Sequence, residues 1–155
     1  MIRKIKKSED QLIIEFLTKF APEQIQFIKG NYFEHGENIE FGFFEKNKLV
    51  GCIRYCIQQI GVEQNTPPII LNGIKQKEAK INIFAVDEEF RNRGIGKRLQ
   101  LKVIEDARIN NCNQLASYST FDRVENYSIK LGLGFCVQPE IQTDGTMGCH
   151  FLMKL

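Results

Sequence analysis

The sequence lacks the features that would mark a membrane, secreted or repeat protein. No apolar run in its 155 residues approaches the ~20 residues that a membrane-spanning helix needs. The basic start of the chain, residues 1–7, is not followed by the apolar core of a signal peptide. No internal repeat, low-complexity tract or linker divides the chain. These absences predict one cytoplasmic domain over residues 1–155, with no membrane partner and enough length to bury a core.

The chain also lacks a large excess of either charge, because 21 Lys and Arg residues nearly balance 19 Asp and Glu residues. The net charge of +2 is too small to indicate nucleic-acid binding. Five cysteines without an export signal favour free thiols in a reducing cytosol. A zinc site built from Cys52, Cys56, Cys149 and His150 can be imagined. However, Cys52 and Cys56 lie four apart within an apolar strand, which is not a zinc-knuckle spacing, so we expect no metal.

The apolar pattern predicts strands with helices between them. The predicted strands cover residues 2–5, 39–45, 48–58, 69–71, 80–86, 115–120, 135–138 and 148–155. Helices are predicted after a cap at Ser8, from Pro22 with Ile25, Ile28 and Tyr32 on one face, from the turn at Gly94 to Asn110, and over residues 124–131. In strand 48–58, Leu49, Ile53, Tyr55 and Ile57 are expected to share a face. This order indicates an α/β or α+β sandwich with a mixed sheet.

The segment from Val86 to Leu99 carries most of the functional signal. An apolar strand ends at Val86, and an acidic turn, a basic glycine-bearing turn and a helix follow. The first N–H groups of a helix lack intrahelical partners and the helix dipole is positive there, so such a turn binds anions, usually phosphate. Gly94 and Gly96 would let a ligand approach the backbone closely.

Two common phosphate-binding motifs do not fit this turn. A Walker A loop aligned on Gly96 and Lys97 would place Arg91 where its first glycine belongs. A dinucleotide fingerprint needs a third glycine at position 99, which is leucine. An Arg-x-x-Gly-x-Gly pattern remains, formed by Arg91, Gly94 and Gly96. An ordinary solvated basic turn, or an unrelated phosphate-binding or nucleotide-binding α/β domain, stays open as an alternative.

This pattern, placed after a strand, resembles the acetyl-CoA-binding signature of the GCN5-related N-acetyltransferase (GNAT) superfamily. The element order β-αα-βββ-α-β-α-ββ is similar to the GNAT fold along nearly the whole chain. The resemblance implies a mixed, mostly antiparallel sheet flanked by helices, with the strand before the turn separated from its neighbour. It also implies acetyl-CoA as cosubstrate.

The resemblance assigns the cosubstrate to particular residues. The main chain of Phe84, Ala85 and Val86 would pair with the pantetheine arm, and an N–H near Val86 would polarise the thioester carbonyl. The pyrophosphate would bind at Arg91, Asn92, Arg93, Gly94, Ile95, Gly96 and Lys97, with Arg98 adding charge. Asn126 resembles the helix asparagine that binds the pantetheine arm.

The expected general acid is less well marked. Family members commonly carry a tyrosine four residues before a Gly-Phe pair, and it protonates the departing thiolate. Here the pair is Gly134-Phe135, and the corresponding position is Lys130. Tyr127 lies one helical turn earlier and is the candidate general acid. Its alternative role is to pack against the sheet, and Tyr118 and Ser119 are weaker candidates.

A primary amine of pKa near 10.4 also needs a base at neutral pH. The candidates are Glu40, Glu63, Glu78, His35 and His150. The tail from Gly145 to Met153 resembles the Gly-x-x-His-x-x-Met ending of one GNAT subgroup, which favours His150. A strand histidine with a satisfied hydrogen bond is the alternative.

We therefore expect an N-acetyltransferase whose acceptor, a small-molecule or peptide amine, attacks acetyl-CoA directly in a ternary complex. Specificity should come from the two N-terminal helices and residues 59–78. A homodimer is compatible with the sequence, and no nucleic-acid partner is expected. The tyrosine missing at position 130 leaves open a GNAT-fold module that binds CoA without transferring acetyl.

Overall fold

The computed structural model of the protein describes residues 1–29, 36–141 and 145–155. Its strands are β1 (Ile2–Lys4), β2 (Glu37–Glu45), β3 (Lys48–Gln59), β4 (Ile70–Leu71), β5 (Ile74–Lys75), β6 (Lys77–Val86), β7 (Gln114–Thr120), β8 (Cys136–Ile141) and β9 (Met147–Lys154). Seven of them form a sheet in the order β1-β2-β3-β6-β7-β9-β8, and β4 and β5 form a separate hairpin. Among the described strands of this sheet, β6 and β7 are the one parallel pair. The predicted mixed, mostly antiparallel sheet is therefore confirmed.

Helices cover both faces of this sheet. They are α1 (Asp10–Phe20), α2 (Gln26–Lys29), α3 (Ile95–Ile109) and α4 (Val124–Gly132). On one face, called the α1 face, the buried side chains of α1 pack with Cys52, Ile83 and Ala85. On the other, the α3 face, those of α3 pack with Ile53, Tyr55 and Ile81, and α4 adds Tyr127. Among the described residues, no helix is both long and apolar enough to cross a membrane.

The N-terminal helices differ from the sequence prediction. The residue before α1 is Glu9, because a 3-10 turn over Lys7–Glu9 intervenes, so the predicted cap at Ser8 is wrong. Pro22 opens a 3-10 turn over Pro22–Gln24 instead of an α-helix, and Gln26–Lys29 is the α-helical part of the residues described after it, up to residue 29. The prediction for Tyr32 lies outside the described residues. The described part of the N-terminal connection that follows α1, residues 21–29, is therefore rich in turns.

A β-bulge corrects the predicted face of Leu49. The register of β2 with β3 shifts between Phe43, which is opposite Gly51, and Phe44, which is opposite Leu49. The extra residue reverses the alternation of side chains, so Leu49 packs on the α1 face. Ile53 and Tyr55 both lie on the α3 face, so their predicted shared face is confirmed.

A second bulge opens the sheet between its parallel strands. In β6, Ile83 is opposite Arg54 and Ile81 is opposite Tyr55, which leaves Asn82 as an extra residue. Pairing of β6 with β7 stops just there, at Ile81 and Ser117, although both strands continue. Because bulges bend a strand away from its neighbour, this one accounts for the opening. We call the space between residues 82–86 and 118–120 the β6–β7 gap; it confirms the predicted separation.

Candidate active site

The glycine-bearing turn lies at the end of β6 and leads into α3. Asn92 and Gly94 adopt left-handed backbone angles, with φ of 60° and 74°. A Cβ on Gly94 would meet no atom within 4 Å, so the space over this glycine is open. The buried Asp87 holds the turn from below, since it accepts the N–H of Glu89 and pairs with Lys48 Nζ at 3.1 Å. The start of α3 is therefore fixed and accessible, and its free N–H groups could hold an anion.

Gly96 has a packing role that the sequence did not reveal. A Cβ at this position would lie 3.0 Å from Phe84 Cζ and 3.1 Å from Ile129 Cδ1. The missing side chain thus allows α3 to approach both β6 and α4. Ile95, beside it, is buried in the core of the α3 face.

The basic side chains around the turn point in different directions. Arg91 Nε donates to the carbonyl oxygen of Val86 at 3.3 Å. Arg93 donates to the Glu89 carbonyl at 3.0 Å and lies over the Phe90 ring. Lys97 is exposed on the first turn of α3, whereas Arg98 stacks on Phe43 of β2, 4.8 Å from the ring centre. Arg91, Arg93 and Lys97 therefore stay at the turn, and Arg98 leans away from it.

At the β6 edge of the gap, every second residue directs its backbone N–H and C=O groups into the gap. The N–H of Asp87 bonds to Val50 of β3. Because bonding direction alternates along a strand, Ala85 also faces β3, and Phe84 and Val86 direct their N–H and C=O groups into the gap. Of the three residues assigned to the pantetheine arm, Phe84 and Val86 are thus the ones whose backbone faces it.

A glutamine from the N-terminal connection bonds to this edge. The N–H of Phe84 donates to Gln24 Oε1 at 2.9 Å, and Gln24 Nε2 donates to the Phe84 carbonyl at 3.2 Å. The adjacent Glu23 accepts a bond of 2.9 Å from Arg123, which precedes α4. The Pro22–Gln24 turn therefore contacts β6 and the start of α4. Sequence reasoning missed Gln24 and Glu23, because only the general region was marked as a source of specificity.

Tyr127 lies beside the β7 edge of the gap. Its hydroxyl donates to the Ser119 carbonyl at 3.0 Å, and its ring packs on Phe151 with 5.0 Å between the ring centres. Burial, followed by the neighbouring Cys149 thiol, raises the pKa of Tyr127 to about 12. A proton donor works best with a pKa near the working pH, so this environment does not favour strong acid catalysis.

Lys130, at the position where the resemblance expects a tyrosine, is completely buried. Its Nζ lies 5.0 Å from the centre of the Phe135 ring and has no hydrogen-bond partner among the described residues. Burial lowers its pKa to about 7, since the charged form loses its hydration. A long amine therefore packs here as an apolar side chain.

Asn126 joins three elements behind the gap. Its Nδ2 donates to the Ser119 hydroxyl at 3.1 Å, and its Oδ1 accepts a weak bond of 3.4 Å from the buried Gln100. The amide assigned to the pantetheine arm thus connects α3, α4 and β7. Ser119 is the shared partner of Asn126 and Tyr127.

His150 lies one strand away from the gap. It is opposite Tyr118 in the β7–β9 register, and the two ring centres are 5.0 Å apart. Its Nε2 contacts the Glu140 carboxylate. Side chains alternate along β9, and Cys149 and Phe151 lie on the α3 face, so His150 is on the α1 face. The structure therefore places a paired histidine near the opening between the strands.

The other candidate bases have structural partners. Glu78 accepts hydrogen bonds from Gln58 and Gln114, and it lies six residues before Phe84, roughly 20 Å along the strand. Glu63 pairs with Lys80. Glu40 is 3.3 Å from Arg54, and burial raises its pKa. His35 lies outside the described residues. Within the part of the chain that the structure describes, no group of three or more His, Cys, Asp or Glu side chains could hold a metal ion.

Comparison with known proteins assigns the family. Residues 6–135 match the sequence model of the acetyltransferase (GNAT) family, and the chain therefore belongs to that family. No curated protein matches the chain.

Solved structures show the same fold. Arabidopsis thaliana NAA60 in complex with acetyl-CoA has a TM-score of 0.76 at 15% identity, over 100% of this chain and 98% of its own. The ribosomal-protein-S18-alanine N-acetyltransferase from Escherichia coli has a TM-score of 0.69 at 15% identity, over 99% and 92%. A Bacillus subtilis acetyltransferase in complex with CoA has a TM-score of 0.65 at 19% identity, over 99% and 97%. Family and neighbours together support an acyltransferase with acetyl-CoA as cosubstrate.

Proposed function

We propose that this protein transfers the acetyl group of acetyl-CoA to a primary amine by direct attack in a ternary complex. The observation that carries the proposal is the β6–β7 gap, which presents the N–H and C=O groups of Phe84 and Val86 beside the start of α3. The pantetheine arm of CoA contains amides that can pair with the groups of Val86, and the acetyl carbonyl beyond it can reach the N–H of Phe84. Its pyrophosphate suits the N–H groups and positive dipole at Gly94.

The reaction needs few side chains. The amine nitrogen attacks the thioester carbon, and the backbone N–H of Phe84, which faces the gap two residues before Val86, donates to the oxygen on which negative charge develops. The C–S bond then breaks, and the CoA thiolate takes a proton. A covalent acetyl-cysteine step is not favoured, because Cys52 is buried and its burial raises the pKa of the thiol.

His150 is the proposed base, since it lies on the α1 face near the gap and contacts Glu140. Tyr127 is the proposed acid, and Asn126 the side chain that lines the pantetheine arm. A CoA thiol has a pKa of about 8.5, close to that of a free cysteine, so its departure needs little assistance.

The acceptor class is a small-molecule or peptide amine. A structural neighbour is named as a ribosomal-protein-S18-alanine N-acetyltransferase, which supports including peptides with a free N-terminus among the acceptors tested. Five free cysteines support action in a reducing compartment such as the cytosol. A homodimer is compatible with this proposal.

A second function, CoA binding without transfer, is favoured by one observation. Lys130 replaces the family's tyrosine, and the hydroxyl of Tyr127 is already bonded to Ser119. A steady-state assay of CoA thiol release separates the two functions, with amines, amino acids and peptides of free N-terminus as acceptors. Acceptor-dependent release supports the transferase. Saturable acetyl-CoA binding without release from any acceptor supports the binding module.

A further inference from the structure

The backbone of Phe84 is bonded by one carboxamide from 60 residues earlier in the chain. A carboxamide offers one acceptor and two donors, so a single Gln24 side chain satisfies both the N–H and the C=O of Phe84. These two groups face the β6–β7 gap and have no partner strand at this height, because pairing with β7 stops at Ile81. Gln24 therefore completes the open edge of β6.

The carboxamide oxygen of Gln24 occupies the N–H that the acetyl carbonyl would use. Gln24 Oε1 lies 2.9 Å from the N–H nitrogen that would polarise the acetyl carbonyl. One N–H cannot serve both oxygens with good geometry, since a hydrogen bond prefers an angle above 150°. The Gln24 carboxamide and the acetyl carbonyl would therefore exclude one another.

We propose that Gln24 is a specificity-determining residue of the acyl subsite. Its carboxamide competes with the acetyl carbonyl for the Phe84 N–H and so sets how well the protein distinguishes acetyl-CoA from CoA. This inference rests on the proposed function. CoA has no acetyl carbonyl and so does not use the Phe84 N–H. Its pantetheine arm can pair with Val86, which is nearer the turn, so CoA can bind while Gln24 stays in place.

Contacts on both sides hold the carboxamide in this position. Gln26 Nε2 donates to the Glu23 carbonyl at 2.9 Å, and the Glu23 side chain pairs with Arg123. The Glu23–Arg123 pair is half exposed on both sides and contributes little by itself. The turn is held on β6 by the two bonds between Gln24 and Phe84 and by the flanking Ala21 and Ile25, which join the same core as Ile83 and Ala85.

The size of the competition follows from the strength of these bonds. Two hydrogen bonds of ordinary net strength favour the bonded conformer over the released one by roughly 5- to 100-fold. A ligand that needs the released conformer binds more weakly by the same factor. Removing the carboxamide should therefore strengthen the binding of acetyl-CoA and leave that of CoA unchanged.

Calorimetric titration of the full chain with acetyl-CoA and with CoA tests the proposal. We expect Gln24→Ala to tighten acetyl-CoA binding about tenfold, within the range set by two hydrogen bonds, and to change CoA binding less than twofold. Gln11→Ala is the matched control, because Gln11 is an exposed glutamine of α1 whose side chain donates to Glu15 of the same helix. It should change neither affinity.

A second measurement uses the wild-type chain and does not depend on the variant folding. In NMR spectra, acetyl-CoA should move the side-chain amide resonances of Gln24 toward those of an exposed glutamine, and CoA should leave them in place. The proposal is overturned, while the proposed function stands, if both ligands bind but two results agree against it. These are that Gln24→Ala leaves the ratio of the acetyl-CoA and CoA affinities unchanged, and that the Gln24 resonances respond alike to both ligands. If the protein binds neither ligand, the proposed function is wrong and the inference is overturned with it.

Discussion

The side-chain nitrogen of Lys130 lies 5.5 Å from the centre of the Phe151 ring, inside the core between α4 and the sheet. A lysine in this environment loses its hydration, and burial lowers its pKa to about 7. The cost of that burial is measurable as a dependence of stability on pH.

We expect Lys130→Met to be more stable than the wild type at pH 7 by about 2–5 kcal/mol, because the pKa of the folded state lies below the ordinary 10.5. The unfolded chain then binds more protons than the folded one between these two values, so wild-type stability rises from pH 7 toward pH 10.5. Urea unfolding should show a smaller difference in stability between the variant and the wild type at pH 9.5 than at pH 7. Lys19→Met, on the exposed surface of α1, should change stability little. A destabilised Lys130→Met would show that the amine has a polar partner.

Tyr127→Phe tests the general acid. If the hydroxyl protonates the thiolate, kcat should fall by about 10²-fold, the low end of general-acid effects, because a pKa of about 12 is far from the working pH. The affinity for acetyl-CoA should stay constant. A rate within twofold of the wild type across pH 6–9 would remove Tyr127 from the site, and kcat of Lys130→Met would then be the next measurement.

The sequence predicted the strand–turn–helix at Val86 to Ile95 because that signal is local. Apolar periodicity, acidic and basic turns and two glycines all fall within one short segment. The bulge at Asn82 was not predictable, since an extra residue changes the register without changing the apolar pattern. The contact between Gln24 and Phe84 joins residues 60 apart and depends on how the N-terminal connection packs. Lys130 illustrates the same limit, because a lysine in a helix is usually expected at the surface.

Gly94 gives a cleaner test of the pyrophosphate site than Gly96, whose missing side chain is needed by Phe84 and Ile129. Space over Gly94 is open, and Asn and Asp tolerate its left-handed backbone better than other residues. We expect Gly94→Asp to weaken CoA binding by about 10²-fold or more, because a carboxylate then faces the phosphates at about 4 Å. Gly94→Asn, of the same shape but neutral, should weaken it far less. If calorimetric titration shows that both variants lose the same CoA affinity, the shape of the side chain and not its charge determines binding at this turn.

His150→Gln tests the proposed base. The substitution keeps a polar side chain opposite Tyr118 but removes the ring nitrogen that could accept a proton from the amine. At pH 7 we expect kcat/KM for the amine to fall by about 10²-fold, with acetyl-CoA affinity unchanged. An amine of pKa near 10.4 becomes neutral without help as the pH rises, so the defect should shrink between pH 7 and pH 9.5.

The matched control for His150 is Glu140→Gln, which removes the carboxylate that contacts its Nε2 and leaves the ring in place. If Glu140 only orients the ring, this variant should lose less activity than His150→Gln. A constant defect of His150→Gln across the same pH range would show that the histidine supports the sheet or the acceptor instead of taking a proton. Because neither change touches β6 or the start of α3, both variants should bind acetyl-CoA as the wild type does.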